Sequence, residues 1–522
     1  MKKQSDKSNI NSAKDIVGCK ILLCAAAAIM PLMLCSKSSP LYPFNDWPDI
    51  NIFFTMGKGM LRGSVPYVDL LDQKGPYIFF IAGIGYLCSK TSFYGFFVFE
   101  CLSLFFFVYY AWKTMCIYVK DCPVWILPLL TGAIVSSKSF VHGGSIEELS
   151  LGISAYAVYS LLRFLRQDER EGMPVPTLLW NGIWAGVLFW SKYTLMGLYL
   201  AWISVVLAEC LLRRKRKAFF VSAGVFLAGM LLMTVPWMIY FGWHHAINDW
   251  LKVYIWDNIF GYSSNNENSL LSKMLIAILN ALRSLKDRGN WGYSLPMALG
   301  CMGYICLPGR IVSLKEKIST AWMGLGLSLG IFIGGTKHDY YGLPLAVFVI
   351  FTGGVVSIFG DWLSKKWKWL QGKYCRAALF LTAFAIALIG AFSLSPNVYL
   401  MSVKRNDMPQ YRFAEQILAS EDTTILNYGF LDGGFYTVLD QVPVVPDYCI
   451  LNIDPQRQLA QQNTYVEQQL TQWVVTWKAF PLSEEELKEL PVISEYYDLT
   501  DYQYFYFEGD IRTYALYERK TE

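Results

Sequence analysis

A polytopic α-helical membrane protein with a small extracytoplasmic α/β domain at its C-terminal end is the architecture this sequence predicts. About eleven membrane-crossing helices are expected. Three observations carry that expectation. Of 522 residues, 54% are hydrophobic and only 16% charged, whereas soluble domains carry about a quarter charged residues. The apolar residues gather into runs, many of which reach the roughly 20 residues that a bilayer core demands. Beyond Ser395 the long runs stop, charge rises, and short β-type runs take their place.

Lys2, Lys3, Lys7 and Lys14 precede the first run, at 15–35, and cations before a span hold the N-terminus in the cytoplasm. No small-residue cleavage pattern follows, so this run reads as a retained anchor rather than a signal peptide. Residues 36–92 then form an external loop. Within it, 78–88 is apolar enough for a short span, but counting it inverts every later basic cluster, so it reads as a juxtamembrane or re-entrant piece. Further runs lie at 93–112, 123–140, 146–165, 178–191, 194–212, 217–241, 291–307, 318–334, 341–359 and 375–394. Between them, on the cytoplasmic side, fall Lys113 and Lys120; Arg163, Arg166 and Arg170; Arg213 to Lys217; Arg310, Lys315 and Lys317; and Lys365, Lys366, Lys368 and Lys373. Ser191, Lys192 and Tyr193 break the pair at 178–212. Lys192 between two apolar halves needs a partner or an interface, and a snorkelling turn residue satisfies that equally well.

The stretch 243–290 is the longest connection and falls outside. Leu270, Leu271, Met274, Leu275, Ile278, Leu279 and Leu282 recur in it at helical spacing, with Arg283, Lys286 and Arg288 following. That pattern describes an amphipathic helix lying on a membrane surface. The division expected is therefore a membrane domain at 1–394 and a soluble α/β domain at 395–522. The second shows β-type runs at 424–428, 473–477, 504–507 and 514–517 and a polar helical stretch at 455–470. Asn427 to Gly434 is glycine-rich without a Walker or Rossmann pattern, which argues against a nucleotide-sugar donor. The basic clusters carry no aromatic interleaving, so nucleic acid is not a partner. Most of the 12 cysteines, such as Cys19, Cys24, Cys35, Cys101 and Cys210, sit in apolar runs, where they act as small hydrophobes.

Asn45 to Tyr77 is the stretch around which the chain is organised. It packs Asp46, Asp49, Asp69, Asp72, Lys58, Arg62 and Lys74 into a short loop beside the membrane. A carboxylate there can act as a general base and the cations can hold a phosphate; a solvated juxtamembrane loop has the same composition. Asp49 and Asn51, then Gly57, Lys58, Gly59, Met60 and Leu61, then Pro66, Tyr67 and Asp69, and finally Gln73, Lys74, Gly75 and Pro76 resemble the first external loop of GT-C glycosyltransferases. The nearest branch is the bacterial one containing lipid A aminoarabinose transferases and protein O-mannosyltransferases. The chain departs from the family pattern in having Lys-Gly-Pro for Lys-Pro-Pro and Asp46 apart from Asp49.

The resemblance implies a hexosyl or pentosyl transferase in the cell membrane, with a polyprenyl-phosphate-linked sugar as donor and a glycan, teichoic-acid-like polymer, lipid or protein of the cell envelope as acceptor. It implies Asp49 as base with Asp46 as alternative, and Lys74, Arg62 and Lys192 as phosphate ligands. Asn51, Asp69, Glu147, Glu148, His338, Tyr340 and Tyr341 would line the substrate pocket. For several of these a structural role is equally open. Asp69 and Asp72 suit a turn and helix cap, and Glu147 and Glu148 suit a helix N-terminus through the macrodipole. His142, His244, His245 and His338 with the two glutamates can supply a divalent metal site, although no fixed ligand spacing marks one. A flippase, polymerase or transporter of lipid-linked glycans is the rival reading, but no internal symmetry of paired halves is visible. A non-catalytic membrane scaffold is the third.

The basic clusters make the orientation testable. A reporter fused after Glu522 is expected to be active outside the cytoplasm and one within Arg213 to Lys217 inside. A cytoplasmic C-terminus would mean that 78–88 crosses the membrane.

Overall fold

Peptide groups in hydrocarbon find no water, so an apolar run that enters a bilayer closes its hydrogen bonds within itself as a helix. The computed structural model describes residues 2–120, 122–166, 172–261, 268–507 and 509–521, with side chains from residue 18 onward except at 371 and 373. Arg170 and Glu522, both used in the orientation expectation, lie outside the described residues. The first helices are α1 (Lys2–Cys35), α2 (Pro48–Leu61), α3 (Pro76–Cys88), α4 (Tyr94–Tyr118), α5 (Ile126–Val135) and α6 (Ile146–Arg166). Then follow α7 (Val175–Phe189), α8 (Met196–Leu212), α9 (Arg216–Trp243), α10 (Ile247–Leu251) and α11 (Leu270–Lys286). The series continues with α12 (Trp291–Cys306), α13 (Leu314–Phe332), α14 (Ile350–Lys366) and α15 (Lys373–Leu394). The C-terminal part carries α16 (Pro409–Leu418), α17 (Phe435–Val438) and α18 (Pro455–Glu467), with strands β1 (Ile425–Asn427), β2 (Trp473–Lys478), β3 (Tyr497–Phe507) and β4 (Asp510–Arg519).

Each apolar run read from the sequence overlaps a helix, the run at 123–140 only over Ile126–Val135. Among the described residues, six segments are long and apolar enough to cross a membrane: Gly18–Cys35, Tyr94–Tyr118, Tyr193–Leu212, Arg216–Trp243, Asp339–Lys366 and Tyr374–Leu394. The helices α3, α5 and α7 are apolar but shorter. At 13 residues, α3 extends only about 20 Å, less than a hydrocarbon core of about 30 Å.

Contacts divide the chain into two compact units, the first comprising Met1–Ser36, Phe99–Met233 and Glu267–Val398. Its helices approach through small residues. A Cβ on Gly197 of α8 would stand 2.0 Å from the Gly326 carbonyl oxygen of α13, so these two backbones touch, as membrane helices do where small residues face each other. Large apolar side chains cover the outside, among them Leu227, Leu231 and Leu232 on α9 and Leu381, Ile386 and Ile389 on α15. Such an exterior suits lipid rather than water, and the chain is a multi-pass membrane protein. Helix α11 is amphipathic as its spacing requires. It buries Ala277, Asn280, Ala281 and Ser284, packs on α13, and leaves Leu270, Leu271, Leu275, Leu279 and Leu282 exposed.

The second unit comprises Lys37–Val98, Thr234–Asn266 and Tyr399–Glu522, more of the chain than the C-terminal residues alone. Its sheet has the order β1-β2-β4-β3. Strand β1 runs parallel to β2, β2 antiparallel to β4, and β4 antiparallel to β3. The register of β3 slips between Leu499 and Asp501. The β-type runs of the sequence coincide with these strands, that at 424–428 containing β1, and Pro455–Glu467 covers most of the expected polar helix.

The stretch Asn45 to Tyr77, read from the sequence as a loop, holds the helix α2 and the first residues of α3. Pro48 and Pro76 open α2 and α3, positions where the missing N–H is not needed. Gly57 and Gly59 look like loop residues in the sequence, but Gly57 lies mid-helix at a backbone contact. A Cβ there would stand 2.4 Å from Gly83 N and from the Phe79 carbonyl oxygen of α3.

Along α2 and its cap, the residues at 51, 55, 58 and 62 share one face, the spacing at which helical side chains line up. Each reaches the segment 432–440. Asn51 Oδ1 accepts from Thr437 Oγ1 at 3.1 Å, Thr55 Oγ1 donates to Asp432 Oδ2 at 2.7 Å, and Lys58 Nζ donates to the Tyr436 carbonyl oxygen at 2.6 Å. Arg62 donates to the Asp440 carbonyl oxygen and pairs with its carboxylate, both at 2.8 Å. Lys58 and Asp432 are fully buried. Burial pushes the Lys58 amine down to about 7, against the pull of Asp440 and Asp432. It also pushes Asp432 up, against its bonds from Thr55 and the Gly434 N–H.

Two measurements check this packing. Gly57→Leu should separate α2 from α3 and cost about 1–3 kcal/mol, as overpacking does, read as a lower melting temperature in detergent. Gly224→Ala on α9, where nothing lies within 4 Å, should not lower it. Lys58 gives a pH signature. Its folded amine sits near 7 and its ordinary value is 10.5, so between these values the unfolded chain holds more protons and the attachment tightens as pH rises. Amides of α17 should be better protected from hydrogen exchange at pH 9 than at pH 7, after correction for intrinsic rates. Lys58→Met should lose that difference; an unchanged difference would exclude Lys58 as its source.

Candidate functional site

The chemistry-bearing residues of the second unit gather around the start of α2 and the segment before α3. Asp49 lies in the first turn of α2 and is partly exposed. The positive end of a helix stabilises a carboxylate in that position. Asp46 is buried, and Lys37 Nζ donates to its Oδ1 at 2.6 Å. Lys37 is itself buried, with the rings of Tyr399 and Phe507 at 5.8 and 5.4 Å. Asp46 is thus half of an enclosed ion pair, while Asp49 keeps access to solvent. Asn51 Nδ2 donates to the carbonyl oxygens of Asn45 and Trp47 at 2.9 and 2.8 Å and fixes the turn that presents Asp49.

Asp72 is the neighbour that the sequence marks only as a turn residue. It is buried, and burial pushes its carboxyl up to about 6. Lys74 pulls it down, as do the N–H groups of Gln73 and Lys74, while Asp49 pushes it up. These mutual effects group Asp49, Asp72 and Lys74. The segment is braced from both sides. Tyr67 OH donates to the Lys74 carbonyl oxygen at 2.6 Å, and Asn258 Nδ2 donates to that of Gln73 at 2.7 Å. Asp69 folds back on its own turn, its Oδ2 accepting from Val65 N at 2.7 Å. Arg62, expected as a phosphate ligand, is engaged by Asp440 and by Tyr86 OH, to which it donates at 2.6 Å. A partly exposed carboxylate beside a lysine can take a proton from a hydroxyl and hold an anion.

The first unit gathers another set. Glu147 opens α6, Lys192 lies in the break before α8, and His338, Tyr340 and Tyr341 lie at the start of the 3-10 turns Asp339–Val349. Lys192 forms an ion pair with Glu147, and its ammonium stands 3.9 Å from the Tyr341 ring centroid and 5.3 Å from that of Tyr340. His338 stacks on Tyr340 at 5.6 Å and meets Tyr341 edge-on at 5.0 Å. Three segments far apart in sequence thus build one charged, aromatic-walled cluster, and their spacing gives no hint of it. Glu148 turns away from this cluster. Its Oε2 accepts from Gly144 N at 2.8 Å, and its own N–H donates to Ser145 Oγ at 3.0 Å, the helix-start role left open for it.

Among the described residues, no group of three or more His, Cys, Asp or Glu side chains is placed to hold a metal ion. His142 and His338 belong to the first unit and His244 and His245 to the second.

No protein-family model matches the chain, and no curated protein does. Solved structures do, two of one protein among them. ArnT from Cupriavidus metallidurans bound to undecaprenyl phosphate superposes with a TM-score of 0.59 at 12% identity, over 97% of this chain and 98% of that one. The apo state of the same protein gives 0.60 at 11% identity over the same shares. At such identity the likeness is one of fold alone: the chain has the GT-C fold seen in ArnT.

Proposed function

We propose that this protein is a membrane glycosyltransferase that moves a sugar from a polyprenyl-phosphate donor to a cell-envelope acceptor on the external face. The N-terminus is cytoplasmic in this reading and the C-terminal region external. The observation that carries it is the likeness over nearly the whole of both chains to a protein whose structure holds undecaprenyl phosphate. Asp49 and Lys74 supply the chemistry. Asp49 accepts the proton of the acceptor hydroxyl as its oxygen attacks the anomeric carbon. The bond from that carbon to the phosphate oxygen breaks, its electron pair leaves with the polyprenyl phosphate, and the anomeric centre inverts. Lys74 neutralises the departing phosphate. The first turn of α2 supports this role by presenting Asp49 partly exposed, whereas Asp46 is already paired with Lys37.

Transfer of labelled sugar from polyprenyl phosphate in reconstituted membranes tests the proposal. Asp49→Asn should fold and bind a donor analogue yet lose about 10²–10⁴ in rate, as for loss of a general base. Lys74→Ala should weaken donor binding instead. Near-parental transfer by Asp49→Asn would place the base elsewhere. If the parent transfers no sugar but moves lipid-linked glycans across vesicles, the chain is a transporter.

A further inference from the structure

Within the first unit, α6 carries Glu147 at one end and Arg163 and Arg166 at the other, roughly 24 Å apart along the axis. That distance approaches the thickness of a hydrocarbon core, and the far end holds cavities unrelated to the Lys192 cluster. A cavity of about 940 Å³ opens between the residues leading into α7 and the turn joining α8 to α9. Arg214, Lys215, Arg216 and Lys217 form one side of it, and Met173, Val175 and Val221 contribute apolar surface. A second cavity of about 260 Å³ shares Met173 and Pro174 with it and reaches Tyr159 and Arg163. A third, of about 300 Å³, shares those last two and ends at Lys113 and Arg166. Together they form a continuous cationic trough.

We propose that this trough is a binding site for the phosphate headgroup of an anionic membrane lipid in the leaflet facing the basic clusters. Two observations favour a lipid over a soluble anion. Leu211, Leu212, Phe220 and Val175, which flank the cations, are exposed, so the trough opens where apolar surface meets charge, the geometry of a headgroup boundary. The four cations of the largest of these cavities are also uncommitted, whereas Arg166 at the far end pairs with Glu316 at 2.9 Å. Glu209 is taken by Arg213 and Lys315 at 2.6 and 2.7 Å, and among the described residues no carboxylate pairs with Arg214, Lys215, Arg216 or Lys217. Arg214 adopts a left-handed backbone (φ 58°), which turns the chain sharply between the helices and sets four successive cations around one space. The inference stands apart from the proposed glycosyl transfer, since it uses none of its residues.

The test is lipid binding by the full-length protein in detergent, followed by native mass spectrometry and melting temperature, with phosphatidylglycerol or phosphatidylcholine added. The parent should retain phosphatidylglycerol selectively and melt higher with it. Replacing Arg214, Lys215, Arg216 and Lys217 by Gln should weaken that binding about tenfold or more, given what each cation contributes near an anionic surface. The control that replaces Lys365, Lys366 and Lys368 by Gln should not. Val221→Trp narrows the cavity while keeping every cation, and should also reduce retention; it decides the matter if the fourfold variant does not fold. Equal retention of both lipids, or undiminished phosphatidylglycerol binding by Val221→Trp together with the fourfold variant where it folds, would overturn the proposal. So would equal stabilisation by millimolar inorganic phosphate without lipid, which would mark a soluble-anion site.

Discussion

The polar stripe on α2 is the contact on which the second unit depends. Asn51, Thr55, Lys58 and Arg62 fasten a helix near the start of the chain to a segment almost four hundred residues later. Three of these positions are fully buried, and a buried polar group without a partner costs more than a made hydrogen bond returns. The stripe therefore fixes the rotation of α2 about its axis. That rotation sets where Asp49 points, because Asp49 sits in the first turn of the same helix. Gly57, pressed against the backbone of α3, fixes the other side. The result is a short helix held on two faces with a partly exposed carboxylate in its first turn.

Burial of charge follows a consistent rule in this unit. Lys37 and Asp46 pair with each other, while Lys58 and Asp432 shift toward their neutral forms. Asp72, with a carboxyl held near 6, lies between these behaviours because Lys74 partly offsets its desolvation. The low-dielectric surroundings make each of these groups sensitive to its neighbours. The coupling of Asp72 to both Asp49 and Lys74 is what makes this region a better candidate for chemistry than the exposed turn at Asp69.

The first unit solves a different problem. Its exterior is apolar, its helices meet through small residues, and its charged side chains collect at helix ends. Lys192 illustrates the last point. A lysine in a break between apolar helices must be neutralised or solvated, and Glu147 with the Tyr340 and Tyr341 rings supplies that environment. At the opposite helix ends Arg166 pairs with Glu316, and Arg213 and Lys315 share Glu209, while no described carboxylate pairs with Arg214, Lys215, Arg216 or Lys217, and there the trough forms.

The sequence by itself determined the helical segments, the change of character near Ser395 and the strand positions of the C-terminal part, because each is a local pattern of polarity and period. It also singled out Asp49, Lys74, Glu147, Lys192 and Tyr341, since charge beside apolar runs is visible in one dimension. It missed the helix at Pro48–Leu61 within Asn45 to Tyr77, because glycines that mark turns in isolation also serve tight helix contacts. Only the tertiary structure decided that Asp46 is enclosed with Lys37, that Arg62 is engaged by Asp440, and that Asp72 joins Asp49 and Lys74. Each of those outcomes turns on a partner brought close by packing, and a side chain's chemistry is set by what packing places within a few ångströms of it, which no local pattern encodes.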